Sequence, residues 1–211
     1  MKNIIGKSFI IIFFLFIYQL CTIPFIIDTV IKSKFDYMIL TIFGLIIFGF
    51  LIYKLWTYFT KDFSLQTNVT KRTYIELSIF IVAIIAAGNL DSLFPESGNQ
   101  KVILDQLHNN LINTVITTVF LAPIVEEIIF RGLFAKLFFP KITDIKTSFW
   151  YVLTTSIVFG LAHVQSFDLS IIPYILMGVI LALAYIRFGD IKYNIFLHFL
   201  NNLISVAMVI L

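Results

Sequence analysis

Charge is what this chain has least of. Only 13% of its 211 residues are charged, against about 25% in a soluble domain. With 60% hydrophobic residues beside that shortage, a water-soluble globular fold is excluded, because no core of this size hides so much apolar surface. Cysteine is almost missing. Cys21 stands alone, which rules out an intramolecular disulfide and leaves the redox compartment open. The residues before it, Tyr18-Gln19-Leu20, lack the small side chains that precede a lipoprotein cysteine, so Cys21 reads as a buried apolar side chain. The net charge of +3 is modest and follows lysines placed around helix ends, so a nucleic-acid partner is not expected. Repeats and low-complexity tracts are absent too.

What is present is phenylalanine, 24 residues of it, and long isoleucine and leucine runs. A membrane helix needs about 20 predominantly apolar residues. Seven apolar segments approach that length: 8–31, 37–53, 74–93, 109–130, 148–163, 169–186 and 193–211. The second, fifth and sixth are short, so a tilted or half-spanning piece is expected among them. No small-x-small cleavage site closes the first run, which reads as an uncleaved signal anchor. Alternate flanks hold Lys2, Lys7, Lys54, Lys61, Lys71, Arg72, Lys136, Lys141, Lys146, Arg187 and Lys192 on one side, against Lys32, Lys34 and Lys101 on the other. The positive-inside rule then puts the N-terminus in the cytoplasm. The fold class expected is all-α: a polytopic transmembrane bundle of about seven helices.

Ionisable residues deep in apolar sequence are informative, since a charge at the bilayer centre costs about 2.5–3.5 kcal/mol even on lenient scales. Segment four reads Leu121-Ala122-Pro123-Ile124-Val125-Glu126-Glu127-Ile128-Ile129-Phe130-Arg131. Glu127 and Arg131 are four apart, share a helix face and can pair. Glu126 lies about 100° round the helix, without that partner, as a general base would. Pro123 cannot donate to the carbonyl of Val119, which loosens the helix before the acids. Later segments carry Phe159-Gly160-Leu161-Ala162-His163 and His198-Phe199-Leu200-Asn201-Asn202. The second places His198 and Asn202 on one face. Such a group could activate water and stabilise an oxyanion. Bland readings stand beside these. Either histidine could merely hydrogen-bond across helices, Glu127 with Arg131 could be structural glue, Phe159 reads as core packing, and His108 as a solvated flank. The Asn68-Val69-Thr70 sequon falls in a connection assigned to the cytoplasm and is discounted.

The motifs Glu126-Glu127-x-x-x-Arg131, Phe159-x-x-x-His163 and His198-x-x-x-Asn202, in this order on successive helices, resemble the CPBP family. That family comprises type II CAAX prenyl endopeptidases and the Abi-like bacteriocin-processing and immunity proteins. The match covers about residues 105–211, a catalytic membrane core. Residues 1–104 would supply N-terminal transmembrane helices of the same integrated domain. The resemblance implies an intramembrane endopeptidase. In it Glu126 and His163 activate water, His198 and Asn202 hold the oxyanion, and Glu127 with Arg131 brace the site. A divalent metal such as zinc, held by Glu126, His163 and His198, is the other option it leaves open. Partners would be the lipid bilayer and a peptide or protein substrate: a leader peptide, a bacteriocin precursor or a prenylated C-terminus. A non-catalytic immunity or scaffold protein is the alternative function. An Ile/Lys/Asn-rich composition points to a bacterial plasma membrane. Geometry sets a condition. His163 lies about 17 residues, or roughly 25 Å, from the Lys146 edge and His198 roughly 9 Å from Lys192, so straight full spans would keep them apart.

Overall fold

The computed structural model describes residues 2–27, 33–64, 73–166 and 168–211. Among these residues the chain is wholly helical. The helices are α1 (Lys2–Ile27), α2 (Lys34–Thr60), α3 (Thr73–Asp91), α4 (Gly98–Asn109), α5 (Leu111–Phe138), α6 (Ile145–His163), α7 (Ile171–Phe188) and α8 (Ile191–Ile210). All but α3 and α4 are long and apolar enough to cross a membrane, which makes six such helices. The protein is a multi-pass integral membrane protein. The expected count of seven spans differs at α3, whose apolar run is only Tyr74–Leu90. The additional helix, α4, is too polar to announce itself by hydropathy; Leu107 is its one buried residue. The Asn68-Val69-Thr70 sequon, Lys32, Lys71, Arg72 and the end of the first apolar segment lie outside the described residues.

Two helices run past the charges that seemed to end them. α2 reaches Thr60 rather than Tyr53, because Lys54 lays its ammonium over the rings of Phe50 and Tyr53, at 5.2 and 6.0 Å, and stays on the helix. α5 reaches Phe138 rather than Phe130. Lys136, expected in a flank, sits inside it and donates from Nζ to the carbonyls of Tyr58 (2.6 Å) and Lys61 (2.5 Å), capping the end of α2. Asp144 and Asp190 accept backbone N–H groups as N-caps of α6 and α8, which starts both helices before the apolar stretch begins. Gly189, at φ 65°, closes α7 in the left-handed region that favours glycine.

α5 is the centre of the bundle. Its Val125, Ile128, Ile129 and Leu133 are fully buried against α2, α6 and α7. It is not uniformly α-helical: Ile116–Leu121 and Ile128–Leu133 are π-helical, a form that often marks functional sites. Ala122 N–H already reaches back to Thr117 O. In this register the bond Pro123 fails to make is to Thr118, not to Val119. Asn202 of α8 supplies the missing donor, Nδ2 to Thr118 O at 2.9 Å. At the second π stretch, α6 donates Thr155 Oγ1 to Phe130 O (2.5 Å) and Tyr151 OH to Arg131 O (3.4 Å). A buried carbonyl without a partner is costly, so these donors hold the irregular helix in place.

α6 and α7 approach closely at Gly178. A Cβ there would lie 2.9 Å from Ser156 Cα and 3.2 Å from Ser156 O, so a larger side chain would part the helices. Both are long enough to span. Neither is cut short.

Candidate functional site

The brace comes first. Glu127 and Arg131 are fully buried and pair at 3.0 Å across one helical turn. The same Glu127 Oε1 lies 2.8 Å from His198 Nδ1, and Oε2 accepts from Asn194 Nδ2 at 3.3 Å. Arg131 holds its guanidinium 4.4 Å above the Phe159 ring and directs Nη2 to the carbonyl of Gly178 at 3.4 Å. A buried charge needs this many partners. Helices α5, α7 and α8 are tied together by one carboxylate and one guanidinium, and Phe159 of α6 stacks beneath.

Glu126 turns the other way. Its Oε1 accepts from Tyr18 OH of α1 at 2.9 Å. Its Oε2 faces two imidazoles, with His163 Nε2 at 3.4 Å and His198 Nε2 at 3.8 Å. Each ring is fixed through its other nitrogen. His163 Nδ1 lies 2.7 Å from the Phe159 carbonyl, and His198 Nδ1 is held by Glu127. The His163 ring also stacks on Tyr174 at 4.9 Å, and Tyr174 OH meets Ser97 Oγ, just before α4, at 2.8 Å. An imidazole whose Nδ1 donates presents a lone pair at Nε2. Two imidazole Nε2 atoms and a carboxylate oxygen therefore converge on one point, and that point calls for a proton, a water or a cation.

A cavity of about 400 Å³ opens at this point, lined by Glu126, His163, His198 and Asn202. Glu127 and Arg131 lie behind its wall. The rest of the described lining is apolar or neutral, with Gln19, Thr22, Asn99, Gln106 and Ser205 among the polar members. Imidazole nitrogen and carboxylate oxygen are donor types that zinc accepts. Yet among the described residues no group of three His, Cys, Asp or Glu side chains is arranged to hold a metal ion.

The four residues expected to act, and the two expected to brace, all meet here. Phe159 is buried as expected but carries more than packing, since it lies under Arg131 and its carbonyl anchors His163. His108 is exposed. Two contributors were missed. Tyr18 sits in the first apolar segment, where a single hydroxyl gives no spacing signal. Asn194 had one: Asn194, His198 and Asn202 recur at four-residue intervals along one face.

Residues 108–204 match the family described as Rce1-like, type II CAAX prenyl endopeptidase. An uncharacterized protein of Mycoplasma capricolum is 29% identical over 178 residues, 72% of this chain and 51% of its own length. YdiL of Bacillus subtilis, whose name gives it as a candidate membrane peptidase, is 33% identical over 114 residues, 54% of this chain and 43% of its own. An uncharacterized 24.3 kDa protein of Escherichia coli is 29% identical over 123 residues, 58% of this chain and 56% of its own. The chain thus spans about half the length of the curated relatives it matches. No solved structure matches it. All four residues around the cavity, and both that brace them, fall inside the stretch, residues 108–204, that is similar to the Rce1-like type II CAAX prenyl endopeptidases.

Proposed function

We propose that the chain is an intramembrane endopeptidase that hydrolyses a peptide bond of a membrane-associated peptide or protein. The observation that carries this reading is the convergence of His163 Nε2 and His198 Nε2 on Glu126 Oε2, at 3.4 and 3.8 Å, in the wall of a cavity. A water bound there donates to Glu126 Oε2 and His163 Nε2. As its oxygen attacks the carbonyl carbon, Glu126 takes the proton, and the C=O bond becomes a tetrahedral oxyanion. His198 Nε2 and Asn202 Nδ2 donate to that oxygen. This asks for a proton on both nitrogens of His198, one directed to Glu127 and one to the cavity. Collapse of the intermediate breaks the C–N bond, and the proton on Glu126 passes to the leaving amine. Asn202 has a second duty, since one of its N–H groups already holds Thr118 O.

The lining suits a peptide. Neutral amides and hydroxyls can pair with a peptide backbone, which carries no charge. The test is purified full chain in detergent or liposomes with fluorogenic peptides of neutral sequence, with and without chelator. Cleavage by the wild type and none by the Glu126→Ala variant is expected. Cleavage unchanged in Glu126→Ala would overturn the assignment of the base. Saturable binding without cleavage would favour a protein that sequesters its peptide.

A further inference from the structure

We propose that Tyr18 is the positioning residue of Glu126, so that α1, which lies outside the family-matched stretch, is part of the working site. The inference rests on the peptidase reading for its kinetics but on geometry for its substance. Tyr18 is half-buried on α1 and lines the cavity. Its ring meets Phe48 of α2 edge to face, centroids 5.9 Å apart and planes at 87°. Phe48 is 1% exposed and is itself met by Phe25 at 6.0 Å, so the phenol has little room to swing. Its hydroxyl reaches Glu126 Oε1 at 2.9 Å.

The two oxygens of Glu126 then differ. Oε1 is taken by the phenol, and Oε2 alone faces His163 and His198. Without the hydroxyl the carboxylate can rotate about its terminal torsion, which is broad and roughly two-fold. Either oxygen, or neither, could then face the histidines. A base must be within hydrogen-bond reach of its proton, and loss of alignment lowers the rate more than it weakens binding. Tyr18 acts on the reaction through Glu126.

Tyr18→Phe keeps the ring against Phe48 and removes only the hydroxyl. Full-length protein should show kcat down about 10- to 100-fold, the fold-change of one hydrogen bond to a charged group, with KM within twofold. Thermal melting of wild type, Tyr18→Phe, Glu126→Ala and the double variant reads the bond without any substrate. Tyr18→Phe should lower Tm in the wild-type background and leave it unchanged or higher in Glu126→Ala, where the hydroxyl has already lost its partner. A kcat within twofold of wild type, or an equal Tm loss in both backgrounds, overturns the proposal. A wild type inert toward every peptide counts against the peptidase reading instead, and the melting cycle then decides Tyr18 by itself.

Discussion

Removing Glu127 should harm the fold more than removing Arg131, although the two form one ion pair. Arg131→Met takes away a charge-assisted bond at 3.0 Å but leaves Glu127 with His198 Nδ1 and Asn194 Nδ2. The expected loss is that of one such bond, about 1.5–3 kcal/mol. Glu127→Leu leaves a fully buried guanidinium with the 3.4 Å contact to Gly178 O and the Phe159 ring, and its Nε has no partner among the described residues even in the intact protein. Stranding a buried charge costs about 3–5 kcal/mol. At about 2–4 °C per kcal/mol for a chain of this size, Arg131→Met should melt about 3–12 °C lower and Glu127→Leu about 6–20 °C lower. The double variant has no stranded charge and should be no less stable than Glu127→Leu alone. The assay is thermal melting in one detergent at one protein concentration. Losses that add within about 0.5 kcal/mol, or an Arg131→Met variant less stable than Glu127→Leu, would refute the reasoning.

Three further outcomes are expected. Glu126→Ala abolishes cleavage while the protein still inserts and accumulates, read by peptide hydrolysis beside membrane abundance. His198→Ala and Asn202→Ala each lower kcat by about 10²–10³ with KM little changed, as for loss of an oxyanion donor; metal content by mass spectrometry accompanies them, and loss of stoichiometric metal in His198→Ala would assign that residue to a metal instead. Thr155→Val leaves the Phe130 carbonyl without its donor and should lower stability by about 1–3 kcal/mol, a loss that Thr155→Ser should largely restore.

Much of the fold could be read from hydropathy, because lipid imposes a length on each apolar run. At α2 and α5 the two differ for one reason: hydropathy alone ends a helix at a charge. Lys54 stays on its helix by lying over aromatic faces, Arg131 by reaching the Gly178 carbonyl and the Phe159 ring, and Lys136 by capping α2, which one-dimensional polarity does not reveal. The Glu127–Arg131 pair was legible because it is local, one turn of one helix. The meeting of Glu126, His163 and His198 was legible only through the resemblance to a family. Tyr18 to Glu126 joins residues 108 apart in sequence and Asn202 to Thr118 joins residues 84 apart. Neither contact has a periodicity to betray it.

The π-helical stretch before Pro123 gives α5 a constraint on length. A π turn is an α turn with one residue more, so everything beyond Ile116–Leu121 is displaced by about 100° and 1.5 Å from where an unbroken α-helix would carry it. Dropping one residue there would leave the segment apolar and long enough to cross a membrane. It would also swing Glu126 away from the histidines and turn Glu127 away from His198 and Asn194. Lipid-facing letters on this helix are free to drift, but their number is fixed, and a single deletion would be as damaging as replacing the acids themselves.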